Sequence, residues 1–330
     1  MSEFKVDVIT NRDGSYGPQV CGITTFTSSG MTLPSGPTEM RGGRGMGLIA
    51  GAQNSTATMN KVEIQTLGNA IDFGDLTQGR EMGAGFGSAT RGVFMGGRLA
   101  PGTSQTTIDY VTLSSGGGGD DFGEIASGAV HFMEGCSNQV RGMSMGGYDG
   151  SNRTRNISFV TIASTGDSST FGSLSAAATS QTASCSSPTR GIVSLGNAPS
   201  IASEVNIIEF ITIATTGDAQ DFGDLTLARR TSTGTSSDTR GLICGSEAPT
   251  THTIDYIDFG DLTTARGEFA SASDNIRGVC AGGNSPGSTR VNTIDFFTIS
   301  TTGDAADFGD LTLTSSGMMG TGDNHGGLQS

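Results

Sequence analysis

Hydrophobic residues in this chain come in short runs that return at a regular distance. Residues 4–10 and 19–26 alternate roughly between apolar and polar positions, and a brief apolar stretch occurs at 93–95. Alternation at period two marks a strand, because successive side chains point to opposite faces. The runs are bounded by Gly, Asp, Ser and Thr, which predicts many short strands joined by tight turns. Residues 293–312, TIDFFTISTTGDAADFGDLT, show the recurring pattern in full: an Ile-acid-aromatic strand, a Gly-Asp turn, then a Phe-Gly strand.

The Phe-Gly pairs begin at Phe73, Phe122, Phe171, Phe222, Phe259 and Phe308, with separations of 49, 49, 51, 37 and 49 residues. Upstream of each lies a second signature, Arg-Gly followed by an apolar strand and often Gly-Gly. It starts at Arg91, Arg141, Arg190, Arg240 and Arg277, while the first copy carries Met46 in the Arg position. Each unit offers four strand candidates, in the last one near 268–273, 278–281, 293–298 and 308–311. The third strand is largely apolar on both faces, which suits a sheet packed between other sheets. Six such sheets around an axis make an all-β, six-bladed β-propeller. A helix would lose roughly 0.5–1 kcal/mol at each Gly or β-branched position.

The ends of the chain bear on how the ring closes. Residues 318–327 align with 269–278, so the C-terminus holds one extra first strand within 315–327, expected to complete the first blade. Residues 38–46 compete for the same slot. The fifth unit is shorter, since Thr253-Ile254-Asp255-Tyr256-Ile257 runs almost directly into Asp258-Phe259-Gly260. A clipped hairpin and a notch in the rim are expected there. The domain reading is therefore an extension over 1–43 and a propeller over 44–330. The extension does not fit the repeat; its strand candidates are 4–10, 19–26 and 31–33, and it is expected to be a docking arm.

Composition adds constraints. The 53 Gly without a three-residue period argue against collagen, and the regular apolar runs argue against disorder. A net charge of −14, with only 18 thinly spread basic residues, disfavours nucleic acid as a partner. No apolar run reaches membrane-spanning length and the N-terminus lacks the apolar core of a secretory signal, so folding in a cytoplasm without membrane insertion is expected. Five Cys without a CxxC pair describe neither a disulfide framework nor a zinc site. Cys136 and Cys185 are expected to be small core residues.

Three sets of residues are candidates for chemistry. Asp218, Asp221 and Asp224 recur as Asp304, Asp307 and Asp310, and oxygen ligands from such turns can hold Ca²⁺. Gly-Asp in a turn is also expected from local hydrogen bonding alone, and the third unit has Thr170 and Ser173 at two of these positions, so the acids are expected to shape turns. The repeated arginines can receive carboxylates or sulfated sugars, or can pair with the repeat acids of their own or the adjacent blade, which is the expected role. His131, His252 and His325 occupy non-equivalent positions. No GxSxG, HExxH or P-loop sequence occurs, and neither catalytic residues nor a cofactor are expected.

With Gly96-Gly97, Asp109-Tyr110 and Phe122 laid out, the unit resembles a kelch repeat in which Phe replaces the usual Trp. The chain is more similar still to kelch-like proteins of marine tailed bacteriophages of the cyanophage type, through PSGPTE-RGGRG at 34–45 and the RG…GG…TIDYVTI…GDA-DFGDLT units. That resemblance implies a non-enzymatic structural component of the virion or its tail. The arm would dock the propeller to tail, baseplate or capsid, with other phage structural proteins as partners and a homo-oligomer in the particle as one arrangement. The alternative is an adhesion module. Segments 99–105, 148–155 and 284–290, between second and third strands, differ most among units and would bind host-surface glycan or protein.

Overall fold

The computed structural model describes residues 25–27, 30–32 and 45–323, apart from 238, 256–259 and 275. All regular structure among them is β. Thr25–Thr27 and Gly30–Thr32 form a small hairpin, and the rest of the arm lies outside the described residues. The remainder is a six-bladed β-propeller built from four-stranded antiparallel sheets.

Blade 2 shows the plan, with strands Ala84–Gly87, Arg91–Met95, Thr107–Thr112 and Asp120–Glu124 running from the axis outward. Blade 3 repeats it with Glu134–Ser137, Arg141–Met145, Asn156–Thr161 and Ser169–Ser173. Blade 4 uses Ala183–Ser186, Arg190–Ser194, Ile207–Thr212 and Gln220–Asp224. Blade 5 uses Thr233–Ser236, Gly241–Glu247, Thr250–Asp255 and a fourth strand described only at Gly260–Asp261. In blade 6, Ala270–Ser273 and Arg277–Ala281 precede two longer strands, Thr289–Thr298 and Ala306–Ser315. Those two extend four residues beyond the sequence-predicted limits at one end or the other, because their ladder continues to Val291 opposite Ser315. Blade 1 takes its first strand, Met319–Gly322, from the C-terminus and the others, Met46–Ala52, Thr56–Glu63 and Ile71–Asp75, from the start of the repeat region. The six first strands touch in succession around the axis, so the ring is closed.

Local sequence explains this packing. First strands are rich in Gly, Ala, Ser and Thr because six of them converge on the axis. Their open edges are stitched by serines: Ser137 Oγ donates to Gly87 O (2.9 Å), Ser186 to Ser137 (2.8 Å), Ser236 to Ser186 (2.7 Å) and Ser273 to Ser236 (2.9 Å). The Gly of Arg-Gly makes room for the preceding blade. A Cβ on Gly142 would stand 2.1 Å from the Phe86 ring, and one on Gly191 would stand 2.6 Å from Cys136 Sγ. The Phe-Gly pair is a β-bulge: Ile108 faces Gly123 and Asp109 faces Asp121, leaving Phe122 as the extra residue. Gly tolerates the left-handed φ of 140–150° found at Gly74, Gly123, Gly223, Gly260 and Gly309.

The core is divided into six apolar clusters, one between each pair of adjacent blades. The cluster between blades 3 and 4 holds Met143, Ile157, Phe171, Val193 and Ile211 among others, whereas that between blades 4 and 5 is the smallest, with Ala183, Cys185, Leu225 and Ile243 fully buried.

Candidate functional site

Second-to-third-strand loops and blade-to-blade linkers lie on one face, where short bridges tie them together: Glu81 to Arg98, His131 to Tyr148, Ser180 to Asn197, Arg230 to Ala248 and Gly267 to Asn284. The residue after each linker sits at the mouth of the axis. Met82, Phe132, Gln181, Thr231 and Glu268 all have left-handed φ of 52–59°, and Gly317 completes the set at 68°. This conformation is uncommon for residues other than Gly. It turns each N–H onto the carbonyl of its counterpart in the preceding blade: Met82 to Gly317 (2.8 Å), Phe132 to Met82 (2.7 Å), Gln181 to Phe132 (2.7 Å), Thr231 to Gln181 (3.1 Å), Glu268 to Thr231 (3.2 Å) and Gly317 to Glu268 (2.8 Å). The mouth is thus a closed circle of backbone hydrogen bonds.

Charge gathers on one side of that circle. Arg98 Nε donates to Glu81 Oε1 at 2.8 Å, and the Glu81 side chain is buried. Asn284 Nδ2 donates to Glu268 Oε2 at 2.7 Å. Burial, and then the neighbouring Glu247 charge, pushes the Glu268 carboxyl up to about 7, against the opposing pull of Arg98. His131 lies beside Tyr148, with ring centroids 5.4 Å apart, and its Nδ1 is 2.9 Å from Ser104 Oγ. Burial, aided by the Arg98 charge, pushes it down to about 4, so it is neutral at physiological pH. Below the mouth, Glu134 faces the axial space and is pushed up to about 8 by burial. The two axial cavities measure about 50 and 60 Å³, room for a few waters. Glu134 and Glu268 therefore hold their protons more tightly than ordinary carboxyls, and Glu81 is already paired with Arg98.

No protein-family model and no curated protein sequence matches the chain. Solved structures do match. One titled "Structure of YjhT" superimposes with a TM-score of 0.62 over 78% of this chain and 93% of that one, at 9% identity. The fold is that of a β-propeller. At such identity the likeness speaks for architecture and leaves activity open.

The structure redirects several expectations about individual residues. In place of the expected repeat acids, Arg91, Arg141, Arg190 and Arg277 meet carbonyls and rings among the described residues. Arg91 donates to Ile162 O (3.0 Å), Arg141 to Ile213 O and Ala214 O (both 3.0 Å), Arg240 to Ile299 O (3.1 Å) and Arg277 to Gln65 O (3.2 Å), each on the next blade. Arg91, Arg141, Arg190 and Arg277 also stack on Tyr110, Phe159, Phe210 and Phe296 of their own third strands, at 4.4–5.0 Å. The reason is register, since the third strand places an aromatic under the guanidinium and leaves the acids on its far side.

Phe122, Phe171 and Phe308 are buried and Phe73 partly so, each packed between blades, while Phe259 lies outside the described residues. Phe222 departs from the expected packing role, as it is 50% exposed. All six Ca²⁺ candidates, Asp218, Asp221, Asp224, Asp304, Asp307 and Asp310, are exposed. Asp218 Oδ1 accepts Ser173 N (2.9 Å) and Asp304 Oδ1 accepts Asp261 N (3.1 Å), so these two cap the preceding blade. Among the described residues no group of three or more His, Cys, Asp or Glu is placed to hold a metal ion. Cys136 and Cys185 are buried, and burial raises both thiols, Cys185 to about 12.

Sequence reading missed a second arginine series. Arg80, Arg229 and Arg266 are fully buried and reach Asp109 (2.6 Å), Asp255 (2.8 Å) and Asp295 (3.0 Å) of the following blade. Their NH2 groups also donate to Phe94 O, Ile243 O and Cys280 O. The signal was present as Leu-Thr-x-x-Arg at 76–80, 225–229 and 262–266, each followed by Ile-Asp in the next unit. Where Ala178 replaces the Arg, the acid becomes Glu209, which accepts from Ser175 Oγ (2.7 Å) and Ala176 N (2.6 Å) instead.

Proposed function

We propose that the chain is a non-enzymatic structural protein of a phage particle: a rigid propeller docked through residues 1–43 to tail, baseplate or capsid. The observation that carries this reading is where the repeated side chains go. The recurring arginines, the buried Phe of the Phe-Gly pairs and the first-strand serines hold one blade to the next. What varies between units lies in the loops. Such a body suits the presentation of a fixed surface, and similarity to kelch-like phage proteins supplies the setting, the virion after assembly in the host cytoplasm. Deleting residues 1–43 is expected to leave a soluble ring with an unchanged melting transition that no longer joins particles. Incorporation of the truncated protein at the wild-type level would overturn the docking role.

A second reading, in which the loop face binds host-surface glycan or protein, is favoured by the charged mouth and by the exposed loop residues 100–103 and 149–152. Glycan-array and host-cell binding with the intact chain separate the two readings.

A further inference from the structure

Around the outer rim, five of the six blade junctions are closed in the same way. The turn between third and fourth strands of one blade lies on the bulge of the blade before it. Gly166 N donates to Phe122 O (2.7 Å), Ser168 N donates to Glu124 O (2.9 Å), and Asp167 Oδ1 accepts Glu124 N (2.9 Å). The next junction repeats this with Gly217 N to Phe171 O (3.0 Å), Ala219 N to Ser173 O (2.9 Å) and the Asp218 cap. Between blades 6 and 1, Gly68 N and Ala70 N serve Phe308 O and Asp310 O, with Asn69 in the capping role. Between blades 1 and 2, Gly117 N and Gly119 N serve Phe73 O and Asp75 O. Between blades 5 and 6, Ala305 N serves Asp261 O and Asp304 caps. In all five, a Cβ on the bulge Gly (Gly74, Gly123, Gly172, Gly260, Gly309) would stand 2.1–2.6 Å from the Gly of the incoming turn.

The sixth junction lacks this closure among the described residues. From Ile208 to Phe222 the blade-4 hairpin spans 14 residues, but from Ile254 to Phe259 the blade-5 segment spans 5, nine residues too few for the turn that covers the other junctions. Among the described residues no such bonds reach Phe222 O, Asp224 O or Asp224 N. A Cβ on Gly223 would meet nothing within 4 Å among the described residues. Phe222 is 50% exposed where Phe122 and Phe171 are 2–3% exposed, and Leu227, five residues further along the chain, is also exposed. The ring of Phe222 still keeps its T-shaped contact with Phe210, so the bulge has its usual form and lacks only its cover.

We propose that this outer edge of blade 4, residues 220–227, is a docking site for a Gly-Asp turn of a partner protein, which completes the junction that blade 5 leaves open. The other five junctions define the ligand: two successive backbone N–H donors, a Gly over the bulge, and a carboxylate or amide accepting the N–H two residues beyond Phe222. A second copy of this chain cannot supply such a turn from its described blades, because all five of its own are seated. The site faces the rim opposite the loop face, and the inference holds whether or not the chain is part of a virion.

The test uses the full chain and a cyclised peptide of its own turn, Ser-Thr-Thr-Gly-Asp-Ala-Ala-Asp, followed by NMR titration. Saturable binding in the millimolar range is expected, weakened roughly tenfold or more by Phe222→Ser, as for loss of an anchoring aromatic. Replacing Gly-Asp in the peptide by Ala-Ala should abolish it. Grafting nine residues of the blade-4 hairpin turn into blade 5 after Ile257 should raise the melting temperature and also abolish binding. No saturable binding to wild type, or binding indifferent to both Phe222→Ser and the graft, would overturn the proposal. So would a Phe222-dependent homodimer found in place of peptide binding.

Discussion

Glu134 is the residue at which the axis departs most from its own repeat. The equivalent first-strand positions are Ala84, Ala183, Thr233, Ala270 and Met319. A carboxylate placed among them loses its hydration, and its pKa rises from the ordinary 4.5 to about 8. The unfolded chain ionises this group above 4.5, while the folded chain resists until about 8, so folding is progressively penalised across that window and not below it. Glu134→Gln is therefore expected to stabilise the protein at pH 8 by about 1–3 kcal/mol, with the gain vanishing near pH 4. Urea unfolding at both pH values measures this; a gain independent of pH would refute the assignment. Glu268 contributes in the same sense between 4.5 and about 7, and is cancelled by comparing variant with parent. His131 has the opposite sign, since its lowered pKa removes stability as pH falls from 6.5 through about 4. The repeat register singles out Glu134, but its desolvation is a property of the axis, which only the closed ring creates.

The blade is the element, and its four-strand plan was legible because each strand carries its own mark: Ser and Gly at the axis, Arg-Gly in the second, Ile-acid-aromatic in the third and Phe-Gly in the fourth. What was not legible was which marks meet. The repeat acids looked like natural partners for the Arg-Gly series, yet a strand's two faces serve two neighbours. The third-strand aromatic points under Arg141 while the third-strand acid, as at Asp109, points to the linker from the previous blade. Arg80 has the fullest set of partners, donating to Gly96 O (2.7 Å), Phe94 O (2.9 Å) and Asp109 Oδ2 (2.6 Å). Breaking a buried ion pair on one side leaves the other charge stranded and costs about 3–5 kcal/mol. Arg80→Met and Asp109→Leu are each expected to fall in that range. The double variant should lose no more than either alone, so the coupling is at least as large as one single loss, about 3–5 kcal/mol. Additive losses in guanidinium unfolding would show that the two side chains act separately.

At the scale of the molecule, the decisive feature is that blade 1 begins at its second strand, Met46–Ala52, and is finished by Met319–Gly322. Met319 lies opposite Ala50 and Gly322 opposite Gly47. The clasp is reinforced where Met46 N donates to Asp323 Oδ1 (2.8 Å) and Asp323 N donates back to Met46 O (3.0 Å). Gly317 lies in the same stretch, so the hydrogen-bonded circle at the mouth closes through it too. The alignment of 318–327 with 269–278 contained this closure in outline. It could not decide between the C-terminal strand and residues 38–46, because either is compatible with a short polar-apolar strand, and the choice depends on reach around a finished ring. Removing residues 316–330 should therefore do more than delete one strand. It would bare the edge of Met46–Ala52, uncover Met319's neighbours Leu48 and Met59 in the cluster between blades 1 and 2, and open the mouth circle. The expected loss is comparable with the whole stability of a typical domain, about 5–15 kcal/mol. An exposed central edge of this kind pairs with other chains, so the truncated protein should elute as oligomers or aggregate. A synthetic peptide spanning 314–324, added in trans during refolding, should restore the monomer and its cooperative melting transition. A truncated chain that stays monomeric and melts like the parent would show that the clasp does not hold the ring.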